Sequence, residues 1–275
     1  AEMKGLTMRW ELLNGSDFAE ALEASGGVCV LGVGSLEYHG AHCPMGADYL
    51  IAHEVCVRGA EIEPAVAFPP YYISQTNESR AFPGSFALPG AMSLDILRAT
   101  CDEIARNGFK KIIIHNTHGG NYSMIDYLMM THLDQRRDYV IYKPDPLIYG
   151  ERAKQWDAIL ETGGGHADEM ETSVCLANWP EGCNLDACDH ATENRNRFGH
   201  LPRGGVTGDW FAQYPEHYAG DARKATAEKG ETLTRLMVEA LAEYIAAVKK
   251  DDAGPAVLRE FYDQCDDIKA NPGGE

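Results

Sequence analysis

The amino-acid sequence predicts an α/β protein whose mainly parallel sheet is covered by helices on both faces. Apolar runs bounded by glycine, at residues 28–33 and 111–116, are typical of strands that are buried on both sides. Helical patterns alternate with these runs, as they do where helices connect parallel strands. Residues with metal-ligand chemistry also follow directly after two of the strands. In such sheets the carboxyl ends of the strands form the usual binding edge.

The individual elements follow in chain order. Strands are predicted at residues 28–33, 65–72, 111–116 and 139–142. Helices are predicted at 16–26, from Asp48 onward, from an N-cap at Ser93 to Gly108, through 124–129, and over 222–250. The charged tail at 251–275 is predicted to be frayed. With no internal repeat and no clear linker, residues 1–275 are expected to form a single domain.

Composition excludes several classes of partner. The formal net charge of −18 over 275 residues argues against nucleic acid and anionic membranes. No stretch of about 18 apolar residues predicts a membrane span, and the first residues lack the layout of a signal peptide. The eight cysteines include no Cys-x-x-Cys pair, which predicts reduced thiols and a cytoplasmic protein.

The segment 34–48 carries the densest set of candidate functional residues. Glu37 and His39 are two residues apart, so in an extended backbone their side chains project to the same side. A carboxylate beside an imidazole suits zinc, manganese or iron better than calcium or magnesium. An isolated Glu-x-His is more often a polar turn, but His118 follows a second strand and should reach the same sheet edge. The sequence therefore predicts a metal site.

A glycine-rich turn at 163–165 precedes a third group of candidates. His166 and Glu169 are three residues apart and would share one face of a helix, whereas Glu171 would point elsewhere. The long loop at 77–90 is also predicted to be functional, because long ordered loops in compact domains tend to be so.

Three segments together resemble the creatininase (creatinine amidohydrolase) family. They are Gly34-Ser35-x-Glu37-x-His39-Gly40-x-His42-x-Pro44-x-Gly46-x-Asp48, then Asn116-x-His118-Gly119-Gly120-Asn121, then His166-Ala167-x-Glu169-x-Glu171-Thr172-Ser173. A weaker match covers Gly205-Val206-x-Gly208-Asp209 and Ala225-Thr226-x-x-Lys229-Gly230. The resemblance implies a three-layer αβα domain, a dinuclear metal centre and a homohexamer or similar oligomer.

The resemblance also implies roles for individual residues. Glu37 and His118 would hold one metal ion, His39 and Glu169 the other, and Asp48 would bridge them. Such a centre, with zinc, manganese or iron, supports hydrolysis of a small-molecule substrate. His166 is then the candidate proton shuttle, because its pKa is ordinarily near neutral. Glu171 is a candidate to orient a ligand or to assist catalysis, and His42 to support the ligands. Structural roles are predicted for His115, His132, His190, His200 and His217.

Departures from the family pattern bear on the substrate. Creatinine-hydrolysing members carry a metal-binding glutamate where this chain has Gly120, and the aromatic residues that cover creatinine have no counterpart in 162–165. Residues 210–219 resemble an insertion whose aromatic side chains would line or cover a pocket. Tyr38, Arg80 and Trp210 are the candidate substrate-binding residues. These departures argue against creatinine itself.

Three functions remain open from the sequence. The first is a metal-dependent hydrolase that opens a small cyclic substrate or cleaves a small amide, with peptide processing as a variant. The second is hydrolysis of a C–C bond in a cyclic diketone such as a dehydro-inosose, for which Asn77, Glu78, Arg80 and Arg203 would bind hydroxyl groups. The third is a metal-binding protein without catalytic activity.

Overall fold

The computed structural model describes residues 6–202 and 204–267. Four strands form its central sheet: β1 (Val28–Val33), β2 (Val66–Ala67), β3 (Lys111–Asn116) and β4 (Val140–Tyr142). Their order is β2-β1-β3-β4, and each neighbouring pair is parallel. All six residues of β1 are buried. The continuous apolar runs in the sequence therefore do mark strands that are covered on both faces.

Nine helices of the described residues surround this sheet. They are α1 (Asp17–Ala24), α2 (Ala47–Ile62), α3 (Gly90–Arg106), α4 (Tyr122–Thr131), α5 (Glu151–Ile159), α6 (Glu169–Asn178), α7 (Asp209–Gln213), α8 (Ala227–Lys250) and α9 (Ala253–Asp266). Helices α2 and α8 pack on each other and on β1, while α3 packs on α4 and on β3. The predicted three-layer αβα fold with a parallel central sheet is confirmed.

A second, smaller sheet lies beside the first. Its strands β5 (Gly164–His166) and β6 (Ala219–Gly220) are antiparallel. This pairing holds the end of the 210–219 segment against the strand that carries His166. The sequence-based prediction that His166 and Glu169 share one face of a helix is therefore wrong. His166 ends β5, and α6 begins only at Glu169.

Several element boundaries differ from the sequence-based predictions. The strand predicted at 65–72 forms regular pairs only at Val66–Ala67. Helix α3 begins at Gly90, so Ser93 lies inside it and donates its hydroxyl to the carbonyl oxygen of Ser74, 3.0 Å away. The last long helix begins at Ala227, where the Thr226 side chain caps it.

The predicted frayed tail is wrong for residues 253–266, which form α9. Tyr262 is buried, and its hydroxyl donates to the carbonyl oxygens of His132 and Gln135, at 3.0 and 2.6 Å. The many charges of this segment hid the apolar face that packs near β4. Residues 268–275 lie outside the described residues. In the part of the chain that is described, no helix is long and apolar enough to cross a membrane.

Candidate metal centre

Buried imidazoles and carboxylates from four separate segments meet at the carboxyl edge of the sheet. Glu37 and His39 follow β1, Asp48 lies in the first turn of α2, His118 follows β3, and His166 ends β5. Parallel strands bring their carboxyl ends to one edge. Residues that are far apart in sequence therefore become neighbours here.

Asp48 lies between two histidines at the centre of this cluster. Its Oδ2 is 2.9 Å from His118 Nδ1, and its Oδ1 is 3.2 Å from His39 Nε2. The Ser35 hydroxyl donates to Oδ2 at 2.6 Å, which fixes the plane of the carboxylate. Glu37 Oε1 is also 2.9 Å from His118 Nδ1. The two oxygens of Asp48 thus face two different sets of potential ligands.

Backbone carbonyls fix the orientation of the histidine rings. Nδ1 of His39 is 3.0 Å from the carbonyl oxygen of Glu37, and Nε2 of His118 is 2.8 Å from that of Gln75. Nε2 of His166 is likewise 2.8 Å from the carbonyl oxygen of Tyr38. A carbonyl oxygen can only accept a hydrogen bond, so each of these nitrogens carries the proton. The opposite nitrogen of each ring therefore faces the cluster, which is the orientation of histidines that bind metals.

The third carboxylate of the cluster belongs to Glu171, in place of the predicted Glu169. Glu171 Oε2 is 3.7 Å from His39 Nε2 and accepts a hydrogen bond from the backbone N–H of Ala167 at 2.6 Å. Glu169 is turned away because its carboxylate is held by Lys229 Nζ at 2.5 Å and by the Thr162 hydroxyl at 2.7 Å. Positions two apart on a helix project on nearly opposite sides, so only one of the two glutamates can face the cluster.

The pKa values show that this cluster attracts positive charge. Burial alone would raise the pKa of Asp48, but the neighbouring histidines hold it down at about 2. Burial would lower the pKa of His39 and of His118, yet the carboxylates around them raise both well above the ordinary value. Burial raises the pKa of Glu171 to about 8. A divalent cation would satisfy these donors, so the residues present fit a metal centre.

His166 has a different electrostatic character from the two histidines beside Asp48. Burial, together with repulsion from His39, lowers the pKa of His166 to about 3. The ring is therefore neutral near pH 7, with Nδ1 3.7 Å from Glu37 Oε1. This pKa is well below the near-neutral value on which the sequence-based prediction of a proton shuttle relied, so His166 holds a proton only weakly while His39 beside it is positively charged.

The cluster forms the floor of a cleft with a volume of about 340 Å³. Its wall is formed by Glu78, Gly119, Gly120, Gly165, Trp210 and His217. A Cβ atom on Gly120 would lie 2.5 Å from His118 Nε2 and 2.9 Å from Glu78 Oε1. Any side chain at position 120 would therefore displace the hydrogen bond that orients His118. The described residues that line the cleft include no lysine or arginine.

Of the three predicted substrate-binding residues, Trp210 lines the cleft. Tyr38 is half-buried and stacks on Phe82 with a ring-centroid distance of 4.8 Å. Arg80 is exposed on the short 3-10 helix Asn77–Ala81. Neither of these two belongs to the described lining of the cleft. Arg203 lies outside the described residues.

Two further buried histidines contact the cluster, and the sequence predicted a supporting role for His42 alone. His42 Nε2 donates a hydrogen bond to the Ala167 carbonyl oxygen at 2.7 Å, because a carbonyl oxygen can only accept. It thereby supports the turn before Glu171. His217, which was predicted to be structural, is buried and places Nε2 3.3 Å from Glu37 Oε2. No spacing marks His217, since it is 180 residues from its partner. The only signal was its place within the aromatic insertion.

A parallel α/β sheet with buried imidazoles and carboxylates converging at its carboxyl edge is typical of a metal-binding site. The chain belongs to the creatininase family, whose model, described as creatinine amidohydrolase, matches residues 11–245. A solved manganese creatininase is 24% identical with a TM-score of 0.72, and the match covers 89% of this chain and 100% of that one. This likeness shows the fold.

Three relatives illustrate the range of the family. The chain is 28% identical to the creatinine amidohydrolase of Pseudomonas putida over 249 residues, which covers 82% of this chain and 92% of that protein. It is 27% identical over 233 residues to the mycofactocin precursor peptide peptidase of Mycolicibacterium smegmatis, with coverage of 81% and 85%. It is 25% identical over 248 residues to the 3-dehydro-scyllo-inosose hydrolase of Thermotoga maritima, with coverage of 81% and 76%. All three are hydrolases, but their substrates differ.

Proposed function

We propose that this chain is a hydrolase with two divalent metal ions, which opens a small cyclic substrate or cleaves a small amide at a C–N bond. The position of Asp48 carries the proposal. Its Oδ2 faces Glu37 and His118, which would hold one ion, and its Oδ1 faces His39, which would hold the other together with Glu171. One carboxylate between two ligand sets is the arrangement that a bridged dinuclear centre needs.

Zinc and manganese are the ions that we propose for this centre, and iron also tolerates its nitrogen and oxygen donors. Bound there, two such ions would lower the pKa of water and polarise the substrate carbonyl. Around them, Ser35 holds the Asp48 carboxylate and the Glu37 and Gln75 carbonyls hold the two ligand histidines. These contacts fix the ligands before any substrate arrives.

His166 is proposed to move the proton. Its Nε2–H is committed to the Tyr38 carbonyl, so Nδ1 is the atom available to the cleft. Nδ1 would accept a proton from the attacking water and return it to the leaving nitrogen. Because burial keeps the ring neutral near pH 7, Nδ1 begins the reaction without a proton.

A second candidate keeps the same centre and changes the bond. The cleft presents the Glu78 carboxylate, which is held by the Gln75 side-chain amide at 3.1 and 3.3 Å, and Gly120 leaves room for it. A carboxylate in this place suits the hydroxyl groups of an oxidised cyclitol, and one relative is an inosose hydrolase. His166 would then protonate a leaving carbon. Incubation with a dehydro-inosose that yields no ring-opened acid would count against this candidate.

Metal content per chain, measured together with hydrolysis of a substrate panel, tests the proposal. The panel comprises creatinine, other lactams, formamides and a cyclic diketone sugar. Two metal ions per chain and turnover of one class other than creatinine are expected. Less than one ion per chain after loading with zinc and manganese would overturn the assignment of the centre. Two ions with no turnover in an extended panel would favour a non-catalytic protein.

Paired variants test which glutamate is the ligand. Glu171→Gln should lose one of the two ions, whereas Glu169→Gln should keep both, because its carboxylate contacts Lys229 and Thr162 instead. Asp48→Ala should lose both ions and all turnover. Retention of both ions by Glu171→Gln with loss in Glu169→Gln would restore the ligand set that the sequence predicted.

We also propose the homo-oligomer and the cytoplasmic location that the sequence predicted. The family resemblance supports a hexamer, and unpaired cysteines support a reducing compartment. Light scattering in solution tests the first of these, and cell fractionation tests the second.

A further inference from the structure

The segment that contains α7 and β6 belongs to the wall of the cleft. Trp210, in the first turn of α7, and His217, just before β6, both line it. Helix α7 leads into a tight turn in which the N–H of His217 donates to the carbonyl oxygen of Tyr214 at 3.0 Å. Pairing of β6 with β5 then holds the segment against the strand that carries His166. This segment is therefore fastened to the centre at its carboxyl end.

The hydrogen bonds of His217 define which of its nitrogens carries the proton. Trp210 Nε1 is 3.4 Å from His217 Nδ1. An indole N–H can only donate, so Nδ1 is the acceptor and Nε2 carries the hydrogen. Nε2 faces Glu37 Oε2 at 3.3 Å. His217 therefore presents an N–H to a carboxylate of the proposed metal centre.

Glu37 receives two donors on one oxygen and directs the other oxygen at the cluster. The Thr76 hydroxyl also donates to Oε2, the oxygen that faces His217. Oε1 is directed at His118 Nδ1, 2.9 Å away. The division between the two oxygens fixes the carboxylate plane, which is what partners outside the ligand set do for metal-binding carboxylates.

The backbone of His217 is held in an unfavourable conformation. Its φ is 52°, in the left-handed region that residues with a Cβ atom rarely adopt. The ring is buried and lies 4.5 Å from the ring of His166 and 5.2 Å from that of Phe82. Such conformations persist where the surrounding structure determines them, and they concentrate at functional sites.

We propose that His217 is a positioning residue for Glu37 and that Trp210 fixes the tautomer of His217 that this role requires. The inference rests on the proposed function, because it assigns to Glu37 the role of a metal ligand. Through these two residues, the 209–219 segment would orient a metal ligand as well as line the cleft. A side chain that only filled space would have no need of an N–H directed at Glu37.

Three variants separate this role from simple packing. His217→Leu keeps a similar volume and removes the N–H, whereas His217→Gln keeps an N–H that can reach Glu37. Trp210→Phe keeps a smaller aromatic ring over the cleft and removes the indole N–H. The dissociation constant for zinc, obtained by competition with a chromogenic chelator, is measured for each variant with kcat and KM, and circular dichroism checks the fold.

Zinc binding by His217→Leu should weaken by roughly 10–100-fold, the usual effect of losing a partner of a metal ligand. His217→Gln should recover most of the affinity, and Trp210→Phe should show a smaller loss in the same direction. Wild-type affinity in His217→Leu, or equal losses in the Leu and Gln variants, would overturn the inference. If His217→Leu does not fold, unchanged zinc affinity in Trp210→Phe would overturn it instead. Failure of the wild-type protein to bind either zinc or manganese after loading would refute the proposed function itself.

Discussion

Gly230 allows the closest contact between α6 and α8, and its replacement by alanine should be strongly destabilising. A Cβ atom at this position would lie 1.8 Å from the carbonyl oxygen of Ser173 and 2.9 Å from Ala177 Cβ. The obstacle is backbone, so no side-chain rotation relieves it. The two helices would have to separate by about 1.5 Å to reach ordinary van der Waals contact.

The expected loss follows from two opposing effects. Alanine gains about 1 kcal/mol over glycine from helix propensity. Overpacking costs typically 1–3 kcal/mol, and a backbone obstacle belongs at or above the upper end of that range. The free energy of unfolding of Gly230→Ala should therefore fall by about 2 kcal/mol or more, which lowers Tm by roughly 5 °C or more in a chain of this size. Urea and thermal unfolding, followed by circular dichroism, measure this.

Gly59→Ala is the matched control. Gly59 lies on α2 and also faces α8, but a Cβ atom there would meet only the Leu241 side chain, at 3.3 Å. The stability of this variant should remain within about 1 kcal/mol of wild type, because the propensity gain offsets a small side-chain shift. Gly230→Ala should also weaken metal binding, since Ser173 lies two residues after Glu171 on α6. A Gly230→Ala protein as stable as Gly59→Ala would refute the reasoning.

Three further predictions concern α8 and the centre. Lys111→Met should lose about 1–3 kcal/mol of unfolding free energy, measured in urea, because the buried Lys111 ammonium donates to two carbonyl oxygens near the end of α8 at 2.8 and 3.0 Å. Lys110→Met is the control. It removes an exposed ion pair and should lose under about 1 kcal/mol. Gly120→Ala should weaken zinc binding roughly 10–100-fold, because the added Cβ atom displaces the hydrogen bond between His118 and the Gln75 carbonyl oxygen. Gly119→Ala, whose Cβ atom would meet no atom within 4 Å, should bind zinc as the wild type does. Equal zinc affinities of the two variants would contradict this prediction. Metal binding at pH 7 should release protons, because burial raises the pKa of Glu171 to about 8 and the carboxylates around His118 raise its pKa against the effect of burial. Affinity should therefore fall as the pH is lowered from 8 to 6, and binding heats that do not depend on the buffer's ionisation enthalpy would show that no proton is released.

The sequence was sufficient to predict the candidate ligands that directly follow a strand of the central sheet. Glu37 and His39 follow one buried strand and His118 another, and parallel strands necessarily bring these positions to one edge. The strands themselves were recognisable because β1 and β3 are uninterrupted apolar runs. Local pattern and sheet geometry were sufficient for these residues.

The choice between Glu169 and Glu171 depended on where one helix begins. Asp168 caps α6 by accepting the N–H of Glu171 at 3.1 Å, and Ala167 adopts a φ of 55° just before it. A helix that included His166 would have directed Glu169 at the centre. The actual start rotates Glu171 to that position, and nothing in the residue spacing distinguishes the two starts.

His217 was beyond sequence reasoning for a different reason. Its partner Glu37 is 180 residues away, and the contact exists only because β6 pairs with β5. Tertiary pairing of a two-residue strand leaves no periodic signal in the sequence. A histidine in an irregular segment cannot be distinguished from a structural one until its neighbours are known.

The charge of the cleft narrows the substrates that the centre can accept. Two divalent ions would more than neutralise Glu37, Asp48 and Glu171, which leaves Glu78 as the carboxylate that faces the substrate. No described lysine or arginine lines the cleft to attract an anion. Glu78 accepts hydrogen bonds and would repel a carboxylate or phosphate placed beside it. A neutral substrate with hydroxyl or amide N–H groups therefore suits this chain better than an anionic one, and such groups occur both in cyclic amides and in oxidised cyclitols.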